Sequence, residues 1–190
     1  MPDFTSLGLG APPITATSVA AVATMNAIYG LTATATAANT VAETSIVGTG
    51  TGSLTIAANR LTAGKHLFIY AYGFIGAPAG PTLRIKAKLN GNIILDTGAA
   101  TLSAITGTTQ WQMSAFAGVR TTGAGGTGFA QGQFAYFTLA NSMVTNQMLN
   151  VATFAVDTTV TQTLDISAQW GTADPTNTIS TTNLMVCILG

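Results

Sequence analysis

From residue 43 onward, hydrophobic and polar side chains alternate with a period of two, the pattern of half-buried β-strands. In Thr82–Leu89, the apolar Leu83, Ile85, Ala87 and Leu89 share one parity, and Arg84, Lys86 and Lys88 share the other. Asn90-Gly91 follows and favours a type I′ turn, whose two central residues both need positive φ; Asn92–Asp96 then returns antiparallel. Lys65–Ile75 carries Phe68, Tyr70, Tyr72 and Phe74 on one parity, so these aromatics share a face. The small residues Ala71 and Gly73 lie on the opposite face and leave room for a close approach or a bulge. Within Gln110–Arg120, Trp111, Met113, Ala115, Ala117 and Val119 fall together. Phe129–Leu139 has aromatics of both parities, which predicts burial on two sides or a bulge.

Further strands are expected at Thr44–Val47, Ser53–Ile56, Val151–Val156, Thr163–Trp170 and Thr178–Leu189. Asn141–Asn150, rich in Asn and Met, reads as a connection, and the glycine-rich Thr121–Gly128 as a loop. Short strands joined by Gly/Thr turns, without a long core helix, predict an all-β fold: an antiparallel, jelly-roll-like β-sandwich. Residues 41–190 are expected to form it. Residues 1–40 differ, with Asp3 their only charge and Gly8, Gly10, Pro12 and Pro13 near the start. They are expected to be an extended arm with one short helix within Thr17–Tyr29, either disordered or ordered against another subunit.

Composition sharpens the picture. Of 190 residues only six are basic and six acidic, 6% of the chain, where about 25% is usual. The sequence contains 34 Thr, 31 Ala and 21 Gly. A Thr-covered surface is compatible with strands, because the hydroxyl faces water while the branched Cβ suits a pleated sheet. Zero net charge gives little protection against association. Two readings of such a surface remain: a secreted or cell-surface sandwich, or a subunit whose faces are covered by neighbours. No membrane span is expected, and the start of the chain does not read as a secretory signal.

Candidate chemistry is sparse. His66 is the only histidine and Cys187 the only cysteine, which excludes an internal disulfide and leaves too few ligands for a zinc site. The thiol sits in an apolar run and is expected to be buried and inert. The carboxylates show no calcium-loop spacing, and Gly123–Gly128 lacks the Lys of a phosphate loop. A serine triad would have to use His66, and no G-x-S-x-G turn is present. Asp157 and Asp165 flank a turn without an aromatic-lined cleft, and Trp111 and Trp170 read as core. The sequence therefore predicts no catalytic residue, cofactor or metal. The stripe Arg84, Lys86 and Lys88 is too small for nucleic acid; it reads as a solvated face or as a contact for an acidic partner surface.

With its strands placed, the chain resembles a family of phage virion structural proteins of similar length. The resemblance runs from about Ala42 to Leu189. It rests on Glu43-Thr44-Ser45 with Gly48–Ile56, on Pro81–Leu89 with Asn90-Gly91, and on Arg120-Thr121-Thr122-Gly123. Asp157-Thr158-Thr159 and Leu164–Trp170 followed by Gly171-Thr172-Ala173-Asp174 complete it. It implies a sandwich on a virion exterior, assembled in the host cytoplasm: capsid decoration or cement, a head fibre or a tail appendage. It also implies a homo-oligomer, preferably a trimer, bound to the major capsid protein or another virion protein, and no catalytic residues. The expected function is capsid decoration, with a carbohydrate- or receptor-binding fibre module as the alternative.

Overall fold

The computed structural model describes residues 26–138, 140–150 and 152–190. Over these residues the protein is all β, with two antiparallel sheets packed face to face. The larger has the order β12 (Met143–Leu149), β11 (Thr127–Phe137), β10 (Ile105–Thr121), β6 (His66–Ala77), β15 (Thr178–Leu189), β1 (Asn26–Leu31) and β4 (Gly50–Gly52). Beside this path, β13 (Phe154–Ala155) pairs with β11 and β2 (Ala35–Ala38) with β15. The smaller sheet has the order β3 (Thr44–Ser45), β14 (Gln162–Trp170), β7 (Thr82–Leu89) and β8 (Asn92–Asp96). There, β5 (Thr55–Ile56) joins β14 and β9 (Ala100–Thr101) joins β7. Because β6 lies beside β15 in one sheet and β7 beside β14 in the other, paired strands cross together between layers. That wrapping gives the fold its jelly-roll-like character.

Alternation decides what enters the space between the sheets. Leu83, Ile85, Ala87 and Leu89 of β7 meet Leu164, Ile166, Ala168 and Trp170 of β14, all nearly inaccessible. From the larger sheet come Leu67, Ile69 and Ile75 of β6, Trp111 and Met113 of β10, and Phe134 and Tyr136 of β11. The mixed aromatic parities of Phe129–Leu139 therefore reflect one ring pair in the core and another outside, without a bulge in β11. The irregularity falls instead in β10, between Val119 and Thr121. At the Asn90-Gly91 turn both residues have positive φ, 48° and 79°, as the type I′ reading requires.

The expected domain boundary at residues 40/41 is corrected. β1 is hydrogen-bonded between β15 and β4, and β2 pairs with β15. Tyr29 and Ala37 are buried, and the Ala37 carbonyl accepts the Trp170 indole N–H at 3.2 Å. The Thr/Ala alternation there is a strand signal whose small side chains fit under a large Trp, so the sandwich includes residues 26–40. Residues 26–29 are strand, not helix; the remainder of the expected arm and helix lies outside the described residues. A second correction concerns Asn141–Asn150, which contains edge strand β12 rather than a simple connection. Its polar Asn and Gln side chains mask the alternation because an edge strand buries little.

Candidate interaction face

The two sheets present outer faces of opposite chemistry. On β6, the parity that leaves Leu67, Ile69 and Ala71 in the core sends Phe68, Tyr70, Tyr72 and Phe74 outward. The register with β10 sets Phe116 opposite Phe68, and Ser114, Gln112 and Gln110 opposite the other three. Phe68 and Phe116 lie 4.9 Å apart between ring centroids, tilted by 38°. Phe68 and Tyr70 stack at 6.4 Å, and Tyr70 and Tyr72 follow at 5.9 Å. Gln131 and Gln133 of β11 face outward opposite Phe116 and Ser114, and Gln147 of β12 continues the amide row.

Of the open depressions on this surface, two between them take in Tyr72, Phe74, Phe116 and Phe129. One, of about 710 Å³, lies between His66, Phe116, Arg120, Phe129 and Leu149. Gly118, without a side chain, leaves this space open: a Cβ there would come within 2.7 Å of the His66 ring. Arg120 covers the Phe129 ring, its guanidinium carbon 4.6 Å from the centroid, a cation–π arrangement. The other, of about 270 Å³, lies among Tyr72, Phe74, Gln110, Gln112 and Phe137. Among the described residues no carboxylate stands on this face of β12, β11, β10, β6 and β15.

The small sheet gathers the charge. Arg84 grips Asp96 with Nε at 2.9 and 3.0 Å from the two carboxylate oxygens, and its Nη2 joins the same group. Glu43 accepts from Lys86 at 2.5 Å, from Lys88, and from the Ser167 hydroxyl at 2.6 Å. Burial works against ionisation of Asp96. The Arg84 hydrogen bonds, the Gly98 N–H and the nearby Arg84 and Lys86 charges outweigh it and hold the carboxyl below its usual range. The same carboxylate pushes the Arg84 guanidinium pKa up.

The structure thus brings Arg84, Lys86 and Lys88 together, each with a carboxylate of its own chain as partner; Lys86 is buried. They form an internal ion network, in which the Arg84 side chain stays 40% exposed. His66 stands exposed at the end of β6, apart from the carboxylates, and no cluster of three or more metal-ligating side chains occurs among the described residues. Asp157 accepts from the Thr159 N–H and hydroxyl, while Asp165 accepts from Ser45. Cys187 is buried beside Phe68, and burial pushes its thiol pKa up. The β10–β11 turn lies between Thr121 and Thr127, with the Gly123 N–H bound to the Thr158 hydroxyl, and Thr127 and Gly128 already belong to β11.

Neither a protein-family model, nor a curated protein, nor a solved structure matches the chain.

Proposed function

We propose that this protein is a non-catalytic structural subunit of a phage virion, a decoration or cement protein that binds the outer shell as a homo-oligomer, preferably a trimer. The single observation that carries the assembly part of this reading is the broad outer face of the large sheet, rich in aromatic and amide groups and free of carboxylates among the described residues. Charge depletion with aromatic enrichment is the composition of interface cores. The sequence resemblance described above supplies the virion context. On this reading the partners are copies of the chain and the major capsid protein or another virion protein. Nucleic acid, membrane, metal and cofactor have no part in it.

One observation favours a second reading, a carbohydrate- or receptor-binding module of a head or tail fibre. Tyr72 and Phe74 are more than two-fifths exposed beside Gln110 and Gln112. Aromatic rings stack on the C–H faces of sugars, and amides donate to and accept from hydroxyls. Stoichiometry in purified particles separates the two. Decoration requires tens to hundreds of copies per particle spread over the shell. A few copies confined to an appendage would support the fibre reading, and complete absence from particles would overturn both.

A further inference from the structure

We propose that the outer face of the five strands β12, β11, β10, β6 and β15 is the docking surface for a second copy of this chain. The inference rests on the reading of the protein as an assembly subunit and names the partner of that face. The apolar content is concentrated there. Tyr72, Phe74, Phe116, Phe129, Met143 and Leu149, each at least 42% exposed, all point to this side. Among the described residues, Val41, Ile93 and Val160 are the other large apolar side chains so exposed.

Size fits such a partner. Five strands spaced by about 4.8 Å, each of about ten residues rising about 3.3 Å, make a face of roughly 800 Å². That is the area each partner contributes to a standard stable interface, about 800 Å².

Charge and hydrogen-bonding chemistry point to an identical partner. In a closed ring of copies, one part of this face meets another part of the same face on the next chain, so the face must be compatible with itself. A charged face would repel its own copy, whereas this one is uncharged across its middle. Arg120 and His66 stand together at one end, as the Gly118–His66 pairing shows, where a rim stays wet. Buried amides must find both donors and acceptors. The outward Gln112, Gln131, Gln133 and Gln147 supply both, so a second copy satisfies them without any foreign group.

The test is sedimentation velocity on the full chain, with Tyr72→Glu and Phe116→Glu as face variants and Ile93→Glu, on the small sheet, as control. The wild type should sediment as a multiple of 19.2 kDa. Each face variant should fall to the single-chain mass while keeping a β-sheet circular dichroism spectrum, and Ile93→Glu should stay assembled. Because the replaced rings are exposed, the isolated fold tolerates them; Phe116→Gln provides a milder variant with the same expected direction. A wild type of single-chain mass overturns the proposal, including one that instead binds neutral oligosaccharides through Tyr72. So does an oligomer that survives every face variant. An oligomer dissolved by the face variants supports this interface even if the protein proves absent from virions, in which case the virion reading alone falls.

Discussion

Trp111 stands directly opposite Gly73 in the β6–β10 register, and its indole N–H donates at 2.9 Å to the Ser180 carbonyl on β15. One strand is thereby bridged by a side chain from its neighbour, and the bridge passes where Gly73 has no Cβ. A Cβ at that position would lie 1.9 Å from the Ser180 oxygen. The β15 irregularity between Thr181 and Asn183 sits at the same place. Gly73→Ala should therefore lower stability by about 1–3 kcal/mol through overpacking. Trp111→Phe should cost about 1–3 kcal/mol by leaving a buried carbonyl unpaired. Urea unfolding midpoints check both; an unchanged midpoint for Gly73→Ala would refute the close approach.

Glu43 is the shared acceptor of the small sheet. Glu43→Gln takes from Lys86, whose side chain is only 9% exposed, its hydrogen-bonded carboxylate and leaves it only the charge of Asp96 across the β7–β8 register. The expected cost is about 1–3 kcal/mol, the penalty of an unpaired group in a largely buried setting. Adding Lys86→Met should recover part of it, because the poorly compensated charge is then gone. Denaturant titration of the single and double variants decides this, and equal stability of Glu43→Gln and wild type would contradict the network's role.

The pH dependence follows from Asp96. Its folded-state pKa lies below the ordinary Asp value of about 3.9. Its contribution is therefore present above that value and is lost as pH falls from there through the folded pKa. Thermal unfolding should show stability dropping below about pH 4. In Asp96→Asn the drop should be shallower, with the largest gap from wild type near neutrality. Parallel curves for the two proteins would refute the assignment.

Removing residues 1–40 should collapse the cooperative thermal transition, because the truncated chain loses β1 and β2, both paired with β15. Trp170 would also lose its acceptor on Ala37. A truncated protein with an unchanged melting temperature would show that β15 needs neither neighbour.

The sequence was most legible where two faces differ sharply. Thr82–Leu89 alternates apolar and cationic residues, and its strand has the expected bounds. The Asn90-Gly91 turn was readable because few residues tolerate its φ values. Ala35–Ala38 was misread because Ala and Thr carry little hydrophobic contrast, and only the packed Trp170 reveals why Ala37 is buried. The candidate face was half legible. Phe68, Tyr70, Tyr72 and Phe74 visibly share a side, but Leu67, Ile69 and Ala71 are apolar too, so parity alone does not tell core from surface. The carboxylate partners of the basic stripe were not legible, because Glu43 and Asp96 meet it only through strand pairing and tertiary contact, at sequence separations of up to 45 residues.

The central claim is that this chain is built to assemble, and light scattering of the full protein across an about tenfold dilution tests it most directly, since oligomers obey mass action. The account predicts a stable multiple of 19.2 kDa, three chains being preferred. A single species of 19.2 kDa at micromolar concentration would contradict it.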